Sequence, residues 1–262
     1  MAGGPSDQLA VALTAFNSMR TIEPVLKSVQ PIAGRIVVVD SGSTDGTIEC
    51  CRDHGAEVIH QPWLGFAAQK QFAIDQCAEA QWVLLLDSDE SLEPDLQATV
   101  QATVEADDPA YDGWWINRKL WYLGGWLHHA FQPEWRLRLV RGGKARSVGP
   151  GAHDQLLVDG RTGRLDGDCR HDSYENFTDM ASRHVRYGDE CVRDPDARGG
   201  GGVGGLLVSP SAAFLKQYVL KRGFLDGRRG LLASAMAAHA ALVKHGAIAA
   251  SELPGASPDA GE

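Results

Sequence analysis

Between residues 9 and 106 short apolar runs alternate with amphipathic ones, and this alternation restricts the chain to a parallel sheet covered on both faces by helices. The runs "LAVALTA" (9–15), "RIVVVD" (35–40), "AEVIHQ" (56–61) and "WVLLLD" (82–87) read as strands. Helices fit between them at 20–29, 44–53 and 65–79, and another at 94–106 is started by Pro94 in its first turn. The unbroken triplets Val37, Val38, Val39 and Leu84, Leu85, Leu86 predict strands buried on both faces. After residue 110 the runs become longer and aromatic, "YDGWWINRKLWYL" and "EWRLRLV", and read as antiparallel and half-exposed strands. In the second, Trp135, Leu137 and Leu139 point one way and Arg136 and Arg138 the other. The expected fold is therefore α/β: a Rossmann-like, mixed but mainly parallel sheet flanked by helices, followed by a helical C-terminal extension.

The expected organisation is a flexible N-terminus (1–7), a catalytic domain (8–171), a helical extension (172–246) with a Gly-rich loop at 198–205, and a disordered tail (247–262). The glycines of "GGGGVGG" follow no strand, so they do not form a dinucleotide-binding turn. A formal net charge of -9 excludes a general nucleic-acid binder, which needs a basic face, and leaves any anionic substrate dependent on a metal or clustered arginines. The five cysteines show no C-x-x-C pair and read as reduced cytosolic thiols. The first residues carry neither a basic leader nor an apolar h-region, so no secretory signal is expected. The longest apolar run, at 231–243, includes His239 and falls short of the ~20 residues that cross a bilayer, so no spanning segment is expected.

Ligands of open α/β sheets collect at the carboxyl ends of the parallel strands. The second strand ends in Asp40 and enters "SGSTDGT", where Thr44 or Asp45 can cap the next helix; the fourth ends in Asp87-Ser88-Asp89. Two other D-x-D triplets, "DGD" at 166–168 and "DPD" at 194–196, sit among turn residues and read as turn chemistry. At 87–89 a helix cap competes with a hard-cation site, since paired carboxylates suit Mg²⁺ or Mn²⁺ shared with substrate phosphates. Downstream, Arg136, Arg138, Arg141, Lys144 and Arg146 precede the pair His153-Asp154. For the arginines, a solvated strand face competes with phosphate anchoring by planar guanidinium forks. For His153-Asp154, a loop hydrogen bond competes with a general base that takes a proton from an attacking hydroxyl. His171 is either structural or a metal or phosphate contact, and His128-His129 is less informative.

The segments "ALTAFNS", "VVVDSGSTDGT", "PWLGFAAQKQFAID", "WVLLLDSDE", "PEWRLRLVRGG", the His-Asp pair and "YVLKRGFLDGRRGL" together resemble, over residues 8 to 246, family 2 glycosyltransferases of the GT-A fold. They are most similar to the lipopolysaccharide core branch of heptose β-1,4-glucosyltransferases. The resemblance implies inverting transfer of a sugar from a UDP-linked donor to a saccharide or glycolipid acceptor with a divalent cation, Mg or Mn. It implies that Thr14, Ala15 and Asn17 border the nucleotide, that Asp40 pairs with the base, and that Lys70 lies near the diphosphate. Asp87 would reach the ribose or the metal, Asp89 would ligate the metal, His171 would complete the metal or diphosphate contacts, and Asp154 would be the base. The branch often has glutamate after the histidine, so the shorter Asp154 is a departure, and "GGGGVGG" is an insert foreign to the branch.

From Lys216 to Lys244 six basic residues face one acid, Asp226. A helical lid packed on the domain competes with a basic amphipathic surface in peripheral contact with the inner membrane leaflet. Two rival functions stand beside transfer: a sugar nucleotidyltransferase, which should carry a basic Gly-rich loop after its first strand where this chain has "LTAFNSMRT", and a non-catalytic nucleotide-sugar-binding module. A cytoplasmic enzyme is the expected reading.

Overall fold

The structure, a computed structural model, describes residues 6–149, 154–193 and 203–254. The first half follows the expected alternation: β1 (Ser6–Ala15), α1 (Ile22–Val29), β2 (Ala33–Asp40), α2 (Thr47–Asp53), β3 (Glu57–His60), α3 (Phe66–Asp75), β4 (Trp82–Asp87), β5 (Glu90–Leu92) and α4 (Pro94–Ala106). Then come β6 (Gly113–Leu120), β7 (Trp135–Arg141), β8 (Arg146–Val148), β9 (Gln155–Leu157) and β10 (Thr162–His171). Among the described residues one sheet has the order β3-β2-β1-β4-β7-β6-β10-β5, and β8 pairs with β9. The strands β3, β2, β1 and β4 run parallel, whereas β7 runs antiparallel to β4 and β6. This mixed sheet flanked by helices is the expected GT-A architecture.

Strand periodicity sorts the core into two layers. Leu9, Val11, Leu13, Val38, Leu84 and Leu86 face α1, α2 and α4, where Leu26, Cys51, Leu96 and Val100 meet them. The alternate residues Ala10, Ala12, Val37, Val39, Val83 and Leu85 face Ala73, Ile74 and Cys77 at α3 and the turn that follows it. Side chains alternate along each strand, so the apolar runs Leu9–Leu13, Ile36–Val39 and Trp82–Leu86 are buried on both faces.

The chain divides into two compact units, Met1–Lys119 with Glu134–Asp172, and Leu120–Pro133 with Ser173–Glu262. The second unit holds α5 (Phe177–Arg193), α6 (Val203–Leu215), a π-helical stretch Lys216–Leu220, a 3₁₀ turn Gly223–Asp226 and α7 (Gly227–Ser251). Its core joins Leu120, Tyr122, Leu127 and Ala130 to Met180, Ala233 and Met236. The Asp226 carboxylate accepts the backbone N–H groups of His128, His129 and Ala130 at 2.9–3.0 Å and so fixes the 120–133 segment.

Several expectations are corrected. Residues 203–205 are helical, because Leu206 and later apolar residues supply a helix that packs on α7; residues 194–202, including "DPD" and most of the Gly-rich stretch, lie outside the described residues. Helix α7 runs through Ser251, past the tail boundary expected at 247, while 255–262 lie outside the described residues. With its alanines and glycines the helix Gly223–Ser251 is long and apolar enough to cross a membrane, by length and composition alone. The "DGD" triplet is no turn: it lies within β10, with Gly167 at φ +100° pressed against the backbone of Leu96 and Asp168 paired to Lys119 at 2.7 Å. Strand β7 is not half-exposed, since Arg138 is as buried as its apolar neighbours.

Candidate active site

Strand register sets the site level. Thr14 stands opposite Asp87, and Ala15 stands opposite Asp40, so three parallel strands finish at one height. Beyond that height the loops are tied together. Gly42 N–H and Ser43 N–H donate to Asp40 Oδ1 at 2.8 Å each, and the Ser43 hydroxyl donates to Oδ2. Asn17, at φ 46°, donates its N–H to Ser43 Oγ at 2.8 Å and accepts from Thr44 N–H at 2.9 Å. Asp45, one residue before the N-cap Gly46, accepts from Thr47 N–H at 3.1 Å and from Met19 N–H at 3.1 Å. The Ser18 and Ser88 hydroxyls meet at 2.7 Å, joining the loop after β1 to the middle of the D-x-D triplet. Side chains that bond to nearby backbone in this way hold loops that carry no ladder of their own.

Under Asp87 lies a lattice of charge. Lys70 Nζ on α3 stands 2.8 Å from Asp87 Oδ1 and 3.0 Å from Asp154 Oδ2, so one ammonium joins carboxylates from two distant segments. Arg138 Nη2 donates to Asp87 Oδ2 at 2.8 Å and to Glu90 Oε1 at 2.6 Å. Arg118 donates to Glu90 at 3.1 Å and to Glu134 at 2.5 Å, and Arg136 Nη2 donates to Glu134 at 2.7 Å. Asp87 N–H also donates to Glu90 Oε2 at 3.1 Å. Burial makes each of these pairs stronger than at a surface, and makes each unpaired member costly.

Protonation follows. Burial pushes the Asp87 carboxyl up, but Lys70 and Arg138 outweigh it and hold the group well below the usual carboxylate range. Burial likewise raises Glu90, and the two guanidiniums bring it below its ordinary value. Glu134 falls to about 2, burial being overcome by the Arg118 hydrogen bond and charge. Desolvation, then the Arg118 charge, lowers His171 below the ordinary imidazole value, against the raising influence of Asp89. At neutral pH His171 is therefore a neutral imidazole, the form that can ligate a metal.

The structure brings together Asp87, Lys70, Arg138, Asp154 and, through Glu134, Arg136. Asp89 and His171 form a second pair, with Asp89 Oδ2 3.6 Å from His171 Nε2. His153 lies outside the described residues. Asp40 is buried, and both its oxygens serve the loop that follows. The solvated-face reading of Arg138 is overturned, because its head group is wedged between two carboxylates. Sequence reasoning missed Glu90, Arg118 and Glu134. The signal for Glu90 was its place directly after the D-x-D triplet, whereas Arg118, between Asn117 and Lys119, and Glu134, just before β7, carried no distinguishing pattern.

The residues that could hold a cation are Asp87, Asp89 and His171. Asp87 Oδ1 faces Lys70 and Oδ2 faces both Lys70 and Arg138. Among the described residues no three His, Cys, Asp or Glu side chains cluster as a metal cage. One carboxylate oxygen and one neutral imidazole nitrogen 3.6 Å apart form a partial ligand set, which suits a cation that keeps waters and takes its remaining oxygens from a phosphate.

Comparison with known proteins finds glycosyltransferases. A lipopolysaccharide core biosynthesis glycosyltransferase, LpsC, of Rhizobium meliloti is 31% identical over 166 residues, covering 61% of this chain and 60% of that protein. An uncharacterized glycosyltransferase of Rickettsia prowazekii is 27% identical over 249 residues, 90% of this chain and 85% of that one. Among solved structures, S. aureus TarS overlaps 90% of this chain and 55% of its own at 18% identity and a TM-score of 0.49. Glucosyl-3-phosphoglycerate synthase of Mycobacterium tuberculosis, solved with Mn²⁺ and UDP, overlaps 45% of each chain at 23% identity and a TM-score of 0.35. Residues 10–155, which hold the β1 to β4 strand ends, Lys70, the D-x-D triplet and Asp154, match the family profile "Glycosyl transferase family 2", and the chain belongs to that family.

Proposed function

We propose that the chain is an inverting glycosyltransferase that moves a sugar, glucose as the first candidate, from a UDP-linked donor to a saccharide acceptor of the lipopolysaccharide core or another cell-surface glycan. The acceptor would be lipid-linked and met by a cytoplasmic enzyme at the inner membrane leaflet. The observation that carries this reading is Lys70, whose ammonium lies between Asp87 at the strand end and Asp154. Asp154 is thereby a carboxylate outside the sheet that is tied to the strand end through Lys70, and it suits the role of base toward the acceptor hydroxyl. A diphosphate arriving beside Lys70 competes for the ammonium and leaves Asp154 free to accept that proton.

Charge balance supports a divalent cation. Asp87, Glu90, Glu134 and Asp154 are matched by Lys70, Arg118, Arg136 and Arg138, so the lattice has no positive surplus for a diphosphate. A cation held by Asp89 and His171 would supply it and act as Lewis acid toward the departing nucleotide. Thr14, Ala15, Asn17 and Asp40 would form the nucleotide rim, Arg136 would reach phosphate, and His153 would orient its neighbour Asp154. Inversion needs one base and one electrophile, without the second carboxylate of a retaining glycosidase.

The test is incubation of UDP-glucose with the protein and Mn²⁺ or Mg²⁺, with and without a heptose-containing acceptor, following UDP and pyrophosphate. Transfer predicts UDP without pyrophosphate, and Asp154→Asn should cut turnover by ~10²–10⁴-fold while UDP-glucose still raises the melting temperature. Pyrophosphate as product would indicate a nucleotidyltransferase, and donor binding without turnover under all conditions a binding module.

A further inference from the structure

The second unit carries an apolar surface that the described residues leave exposed. Along α6 and the π-helical stretch, exposure recurs in adjacent pairs every four residues: 203 and 204, 207 and 208, 211 and 212, 215 and 216, 219 and 220. On a helix of about 3.6 residues per turn this repeat makes a stripe that winds slowly around the axis, and the large residues on it are all apolar but one: Val203, Leu207, Val208, Leu215, Val219 and Leu220, with Lys216 the exception. Leu207 is 74% exposed and Leu220 78%. The usual amphipathic arrangement is reversed, since a surface helix should present polar residues to water. No residue of α6 is buried, although α6 packs along α7. Phe224 and Leu225 continue the exposed apolar surface into the 3₁₀ turn. Exposed large apolar residues concentrated on one element in this way point to an interaction site.

Charge identifies the occupant. Between Val203 and Lys244 there are six basic residues and one acid in a chain whose net charge is -9. The acid, Asp226, is occupied with three backbone N–H groups, and Lys216, Arg222 and Arg228 are exposed. A second copy docking through the same stripe would bring these like charges together. An anionic bilayer satisfies both features, taking the leucines and valines into its interface and the cations to its headgroups.

We infer that the outer stripe of Val203–Leu220 is a lipid-docking face, which lies in the interface of an anionic membrane with its axis along the surface. Its readout is lipid binding, so it can fail while the transfer chemistry stands, and the reverse.

The full-length protein is sedimented with vesicles of phosphatidylcholine alone and of phosphatidylcholine with 30% phosphatidylglycerol (roughly the anionic fraction that gives a strong surface potential), at low and high salt. Expected is binding to the anionic vesicles that weakens with salt. Leu207→Glu with Leu220→Glu should lower the apparent affinity by about tenfold or more. Both side chains already face water, so the melting temperature and the UDP-glucose response should be unchanged. Lys216→Glu with Arg222→Glu should weaken binding to anionic vesicles and leave binding to neutral ones unaltered. The inference is overturned if the wild type stays in the supernatant at low salt, or if the Glu variants sediment as well as the wild type. It is also overturned if ultracentrifugation shows a dimer dispersed by the same substitutions with no vesicle binding.

Discussion

Replacing Arg138 with Met tests the charge lattice directly. The Arg138 side chain is 5% exposed and bonds to Asp87 and to Glu90, which is 0% exposed. Methionine fills similar volume, so the loss is electrostatic. Removing one partner of a buried ion pair costs about 3–5 kcal/mol, because the remaining charge stays desolvated. Glu90 keeps Arg118 at 3.1 Å and the Asp87 N–H at 3.1 Å, and Asp87 keeps Lys70, so the expected cost is reduced to roughly 2–4 kcal/mol. At about 2–4 °C per kcal/mol for a chain of this size, the melting temperature should fall by roughly 5–15 °C. Urea denaturation at pH 8 gives the free energy, and Glu90→Gln completes a double-mutant cycle. The double variant should recover more than 1 kcal/mol relative to the sum of the singles, about the coupling expected of groups in contact. The sign of the pH dependence is a second check. Without Arg138 the Glu90 carboxyl is raised above its unfolded value, so the folded variant binds more protons and its deficit should shrink as pH falls from 8 to 5.5. A loss of less than ~1 kcal/mol with additive single substitutions would refute the reasoning.

Asp226→Ala leaves three backbone N–H groups of the second unit without an acceptor, and should destabilise it by about 1–3 kcal/mol, read as a lower urea midpoint with intact β-sheet signal. His184 meets His239 at 3.3 Å between Nδ1 atoms, and burial, then His239, brings its pKa from 6.5 to about 4. The unfolded chain thus binds more protons between those values, so stability is lost as the pH is lowered through that window, by at most about 2 kcal/mol from pH 7 to 5; His184→Gln should flatten that slope in urea titrations. Burial raises the Cys51 thiol to about 12 and Cys77 to about 11, so both should resist alkylation at pH 8 until the chain is unfolded, as mass spectrometry of labelled peptides would show.

The central strands were legible because Val37–Val39 and Leu84–Leu86 are buried on both faces, a pattern that no half-exposed strand produces. Asp87 and Asp89 were legible as a strand end, and Asp154 through its place in a family motif. Arg138 was misplaced because alternation along β7 tells which residues share a face but not what covers that face. Here Asp87 and Glu90 cover it, contributed by elements some fifty residues away. Glu90, Arg118 and Glu134 went unseen for the same reason, since a buried charge is tolerated only by partners that sequence spacing does not reveal. Helix α6 was hidden by the glycines beside it, which lower helix propensity, while the packing against α7 that sustains it is a tertiary effect.

The 120–133 segment, held by Asp226 and packed on Met180, Ala233 and Met236, is flanked on both sides by residues of the sheet-bearing unit. Two units that look separable are therefore interleaved along the polypeptide, and no single scission yields either intact. A chain ended at Asp172 would retain Tyr122, Leu127 and Ala130 without the side chains that shelter them, and should clump on expression. Excising 120–133 as well and bridging Lys119 to Glu134 with a short turn is the truncation with a prospect of staying in solution.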